Sequence, residues 1–218
     1  MQAIPYCLNI HPGESLAAVR DAVTTHAAAV KARVSPASAY PLGLRLSAVA
    51  AHELHASPKV LNDFAELLSG NDLTVSCING FPYGTFHGTA VKTAVYSPDW
   101  STPERLAYTG RLAELLAALL PDGATGNIST VPLGYKRRRE EEKGRKEEGR
   151  GRREEIEDQR MTVCVRQLAV MAEFLDDLSV RKGRDIVLAL EPEPDCLLET
   201  TDDVIRWFED ELLHQGIR

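Results

Sequence analysis

DIVLALEPEPDCLLETTDDV, residues 185–204, decides how this chain is read. Five apolar residues, Ile186 to Leu190, run straight into the carboxylate of Glu191, and a second carboxylate, Glu193, follows between Pro192 and Pro194. A short apolar run bounded by turn residues reads as a strand covered on both faces, the most buried-looking strand of the chain. An acid at its end is costly to bury unless a cation or hydrogen-bond donors meet it. The prolines fix φ on either side of Glu193 and remove two N–H donors, so the exit from the strand is stiff.

Outward from this segment the pattern is strand then helix, five times. Residues 3–10, 41–47, 72–79 and 126–134 read as four further strands. The first helix carries Leu16, Val19, Val23, Val30 and Val34 on one stripe at 3/4 spacing. Residues 48–69 read as helix interrupted at Pro58, and Thr102 with Pro103 opens another that stops before Pro121 and Gly123. Residues 161–182 form a helix with Val163, Leu168, Met171, Leu175 and Leu178 inward. Thr201 caps the last helix, whose inner face is Val204, Phe208 and Leu212.

Strands alternating with helices at this spacing build a parallel α/β sheet. Its two common outcomes are a doubly wound sheet and a (β/α)8 barrel. No G-x-G-x-x-G opens the first helix, which disfavours a dinucleotide fold. Polar residues follow the strands instead: His11, Arg45, Asn79, Thr130 and Glu191. A barrel carries its chemistry at that end. The expectation is therefore a partial (β/α)8 TIM barrel with about five βα units, residues 1–218 forming one incomplete domain. A whole barrel takes about 250 residues.

Composition bounds the rest. The run at 136–160 holds 11 basic and 9 acidic residues and one apolar side chain, Ile156, so it cannot bury a core and reads as a charged low-complexity insertion. Outside it stand 14 basic against 23 acidic residues, a net −9. A nucleic-acid partner needs the opposite sign. No run of 18 apolar residues spans a membrane, and the N-terminal stretch has no secretory pattern. Four scattered cysteines without a C-x-x-C pair read as free thiols of a reducing cytoplasm.

Glu191 is the leading site candidate, either as an oxygen ligand for a hard divalent ion or as the partner of an arginine such as Arg45. Glu193 is a further carboxylate beside it. The segment INGFPYGTFHG, residues 78–88, puts Tyr83 and His87 on the long loop after the third strand, where barrels build their sites. His87 there is a candidate general base or substrate-orienting donor. His11 follows the first strand, two residues after Asn9. His26, His52, His55 and His214 fall in helical stretches and are assigned no role.

The motifs YCLNIHPGES, LGLRLS, INGFPYGTFHGTAVKTAVYSPDWSTPERLAYTGRLAELLAALLP, ISTVPLGYK and LALEPEPDCLLETTDDV together resemble the metabolite traffic protein EboE family. That family lies among the xylose-isomerase-like TIM barrels, with the sugar-phosphate isomerases/epimerases and endonuclease IV. The resemblance covers nearly all of the chain except 136–160. It implies a sugar- or cyclitol-type isomerase or epimerase, or a handler of such metabolites, in secondary metabolism. It makes Glu191 a ligand of a divalent metal (Mn, Mg or Zn), with further ligands from strands six to eight. A carboxylate or histidine, here Glu193 or His87, would move a proton, and His11, Arg45, Asn79 and Tyr83 would bind substrate. The implied partners are a small polyhydroxy metabolite and other proteins of the same pathway. A non-catalytic binding or transfer component is the alternative, and an endonuclease IV-like phosphoesterase is disfavoured by the −9 body.

Overall fold

The computed structural model of the chain describes residues 4–84, 94–136 and 148–215. Five strands, β1 (Tyr6–Cys7), β2 (Tyr40–Arg45), β3 (Leu73–Asn79), β4 (Gly126–Thr130) and β5 (Ile186–Leu190), form one sheet in the order β1-β2-β3-β4-β5. Every pairing is parallel. Sequential order without a switch point separates this sheet from the doubly wound kind, whose strand order reverses.

The helices agree. α1 (Leu16–Ala22) and α2 (Ala28–Val34) are joined through a π turn, Val23–Ala27; α3 (Ala48–His55) and α4 (Pro58–Gly70) follow β2; α5 (Pro103–Leu119) follows β3. α6 (Glu148–Lys182) follows β4 and α7 (Thr201–Trp207) follows β5. α1 packs on α3, α3 on α5 and α5 on α6, a single layer over one face of the sheet. The chain is an α/β protein built as a partial (β/α)8 barrel.

Capping sets where the helices begin. Ser15, Ser47 and Ser57 each accept a backbone N–H of the first turn, and Pro58 adds a preformed φ to α4. Thr200, rather than Thr201, caps α7 and forms a reciprocal box with Asp203.

Two helical stripes differ from the 3.6-residue reading for one reason. The π turn at Val23–Ala27 inserts a residue into the helix, so the buried stripe continues through Ala27 and Lys31, and Val34 is 62% exposed. A second π turn, Phe208–Leu212, puts Trp207 and Leu212 on the buried face and leaves Phe208 outside. In α6 the inward residues are Cys164, Val165, Leu168, Met171 and Leu178, with Val163 exposed.

The core lies between the sheet and its helices. Leu42, Leu44, Val75, Ile78 and Ile128 point into it, against Phe64, Leu112 and Leu116. A second cluster around Trp100, Leu133, Cys164, Met171 and Trp207 fills the space beneath the loops after β4 and β5. β5 departs from its reading as the most buried strand. It is a sheet edge, only Ile186 is buried, and Val187 on the face turned from the helices is 52% exposed.

The charged run is likewise joined to the fold at both described ends. Residues 148–160 belong to α6. Arg160 ion-pairs with Asp99 and donates to the Tyr135 carbonyl, while Lys136 pairs with Glu199.

Candidate functional site at the strand ends

The face turned away from the helices is polar, and a bulge makes it so. Tyr40–Leu42 pair with Leu73–Val75, then Gly43–Arg45 pair with Cys77–Asn79, so Ser76 is left over. Alternation would otherwise put Ile78 on the open face and Asn79 in the core. The extra residue reverses this, burying Ile78 to 1% and aiming Asn79 outward from the core.

Arg45, Asn79, Ser129 and Ala189 are register partners across four strands, one layer of that face. Asn79 Oδ1 accepts the Phe81 N–H at 3.1 Å, so the amide's Nδ2 faces away from its own loop, without a partner among the described residues. Ser129 gives its carbonyl to Gly80 N–H at 3.0 Å and keeps its hydroxyl on the open face. Gly80 has to be glycine: a Cβ there would sit 2.9 Å from that same Ser129 carbonyl.

Arg45, 1% exposed, donates through Nη2 to both Glu14 oxygens at 2.9 and 3.1 Å and to the Gly84 carbonyl at 3.0 Å. It ties the loop after β1 to the loop after β3. Ser47 strengthens the same joint by donating to the Glu14 carbonyl at 2.6 Å while capping α3.

Arg105, fully buried on the first turns of α5, is a second tie. Its Nε donates to the Pro98 carbonyl at 2.7 Å, and Nη1 to the carbonyls of Gly80 and Phe81 at 2.8 and 3.2 Å. Burial lowers this guanidinium to about 10. Tyr83 lies over it, 6.0 Å from ring centroid to guanidinium, and packs edge-on against Tyr108. The Tyr83 carbonyl accepts the Ala48 N–H at 2.8 Å. Tyr83 therefore braces its loop, with its ring half-buried against the core.

The other side of the strand ends gathers around Glu193. Its carboxylate accepts the Tyr96 hydroxyl at 2.5 Å, and Tyr96 stacks near Phe81 and Tyr135. Burial, and then the Glu193 hydrogen bond, push the Tyr96 hydroxyl's pKa up. Loops after β3, β4 and β5 thus meet around Tyr96.

Glu191 is half-buried, and its N–H donates to the Thr130 carbonyl at 3.1 Å. Its carboxylate has no hydrogen-bond or ion-pair partner among the described residues. The alternative pairing with Arg45 is excluded, since Arg45 engages Glu14 instead. A half-buried carboxylate without a partner fits a single oxygen ligand of a divalent ion. The set around it does not make a metal centre: no group of three or more His, Cys, Asp or Glu that could hold an ion exists among the described residues.

The remaining sequence candidates separate. Thr130 points into the core, accepting Trp100 Nε1–H at 3.1 Å, and leaves the mouth to Ser129. His11 stacks on His26 at 4.0 Å and is hydrogen-bonded to Tyr6 at 2.7 Å, so it faces its own helix. His87 lies outside the described residues. Sequence reasoning missed Glu14, Ser129, Tyr96 and Arg105. Ser129 was accessible through the alternation of Asn127 and Ser129 with Gly126, Ile128 and Thr130; the other three carry no local signal.

No protein-family model and no curated protein sequence matches the chain. Among solved structures, the apo crystal structure of 3-keto-D-glucoside 4-epimerase, YcjR, from E. coli is similar at a TM-score of 0.44 and 13% identity. The match covers 81% of this chain and 55% of that one, so the chain spans little more than half the length of this relative. A likeness this slight transfers no chemistry.

Proposed function

We propose that this chain builds part of a small-molecule site for a polyhydroxylated, sugar- or cyclitol-like metabolite, in an isomerase- or epimerase-type barrel of the xylose-isomerase-like kind. The observation that carries the reading is the polar layer at the strand ends. Asn79 Nδ2 and the Ser129 hydroxyl stand in register on neighbouring strands, next to Arg45 and below the carboxylate of Glu191, which has no partner among the described residues. Adjacent donors and an acceptor at strand spacing suit the vicinal hydroxyls of a polyol, and the two arginine ties hold their loops rigid. The EPEP and FPYG motifs that resemble the EboE family support the same reading.

In this scheme Asn79 and Ser129 bind hydroxyls and Arg45 keeps the floor of the site in place. Glu193, oriented by Tyr96, and His87 are the candidates to move a proton at a carbon next to a carbonyl. Glu191 would contribute one oxygen ligand to a divalent ion. Because the described residues do not complete a metal set, no step is assigned to an ion.

The test is calorimetric titration of the chain with a panel of pyranoses, ketoses and cyclitols. At least one is expected to bind, and Asn79→Ala or Ser129→Ala to weaken it about tenfold, the loss of one hydrogen bond. Equal affinity in the variants, or no binding across the panel, would remove the reading. Deuterium exchange into the bound sugar, followed by NMR, separates an isomerase from a carrier that binds without turnover.

A further inference from the structure

One layer below Asn79, two cysteines converge. Cys7 on β1 and Cys77 on β3 are both register partners of Gly43 on the strand between them. A Cβ built on Gly43 would lie 2.8 Å from Cys7 Sγ and 3.0 Å from Cys77 Sγ. Both thiols therefore occupy the space that any other residue at 43 would fill. Glycine within a strand costs packing and entropy, and here it opens a seat for two sulfurs. Cys7 is exposed and Cys77 half-buried, so the seat is reached from the open face of the sheet.

The two sulfurs are too close to ignore one another, yet they cannot bond directly. Their strands both flank β2, so their Cα atoms are two strand spacings apart, roughly 9.5 Å. A disulfide tolerates no more than about 7 Å between Cα atoms. What the geometry admits is a bridging atom that takes two thiolates from opposite sides.

We infer that Cys7 and Cys77 form a two-thiolate site for a soft d¹⁰ cation, Cu(I) in chemical class. Soft thiolates select Cu(I), which accepts two-coordinate ligation, whereas hard divalent ions need more oxygen donors. Binding releases the thiol protons. Affinity therefore increases with pH. The site shares a face with the proposed polyol site but does not depend on it.

The experiment is an anaerobic titration of the reduced full chain with Cu(I), held by a chromophoric Cu(I) chelator as competitor. One equivalent is expected to leave the chelator for the protein, with thiolate-to-copper charge-transfer absorption. Cys7→Ser and Cys77→Ser should each lower the affinity at least a hundredfold. Gly43→Ala, which keeps all four thiols and fills the seat, should lower it at least tenfold; circular dichroism checks that it folds. If Gly43→Ala does not fold, the exposed Cys7→Ser decides. Equal affinity in Cys7→Ser, or no copper taken from the chelator by the unaltered chain, would overturn the site.

Discussion

Arg45 and Asn79 stand opposite one another on neighbouring parallel strands, and they share a face because Ser76 is not paired. The bulge thus sets which side chains of β3 reach the open face. Below it the strand shows Leu73 and Val75 to the core; above it the core residue is Ile78.

Deleting Ser76 should remove the bulge and leave Ile78 in the core and Asn79 on the open face, because Val75 and Cys77 already pair with the consecutive residues Leu42 and Gly43. Stability is expected to change by less than about 1 kcal/mol in urea denaturation. A loss of about 3 kcal/mol or more, the scale of turning one buried isoleucine out and one amide in, would mean that the unpaired residue itself holds the two side chains on their faces.

Arg160→Ala should separate the anchored end of the charged run from its remainder. Asp99 would keep its hydrogen bonds from Ser101 but lose its cation, with both side chains of the pair about seven-eighths buried. The expected loss is about 2–3 kcal/mol. Replacing residues 137–147, whose composition holds no apolar side chain, with a short Gly/Ser linker should change stability by less than about 0.5 kcal/mol. Comparable losses in both variants would contradict the distinction.

Arg105→Lys should fail to rescue the loop it holds. A planar fork reaches the carbonyls of Pro98, Gly80 and Phe81 together, and an ammonium on a flexible stem does not. The same burial that lowers Arg105 to about 10 would strip a lysine of its proton at a much lower pH. A loss of about 2–3 kcal/mol is expected at pH 7, measured by thermal or urea unfolding.

Stability should fall on the alkaline side. Burial pushes the Cys164 and Cys196 thiols up to about 12 and about 11, from an ordinary 9.0. Tyr96 and Tyr108 are raised above their ordinary 10.0, first by burial. Raised groups keep their protons in the folded chain while the unfolded chain releases them. Their stabilisation is complete below pH 9 and is lost as the pH climbs through 9 to 12. Urea midpoints between pH 7 and 11 should be flat at first and then decline. The decline should be shallower in a Cys164→Ala/Cys196→Ala variant. A flat profile to pH 11 would count against the buried thiols.

What the sequence determined by itself was everything that repeats along the chain. Strand–helix alternation, the break at Pro58 and the start of α5 at Pro103 follow from periodicity and local sterics, and they appear where the residues place them. The polar ends of β2 and β3, Arg45 and Asn79, were legible for the same reason. Three-dimensional packing decided the remainder. Two π turns rotate their helices by a residue, so Val34 and Phe208 are outside; no hydrophobic count registers an inserted residue. A bulge does the same to β3. Partners distant in sequence, Glu14 for Arg45, Tyr96 for Glu193 and Asp99 for Arg160, are chosen by which loops the sheet order brings together. The seat over Gly43 is of that kind. Cys7 and Cys77 are seventy residues apart, and only the pairing of both strands with β2 puts their sulfurs on the same glycine.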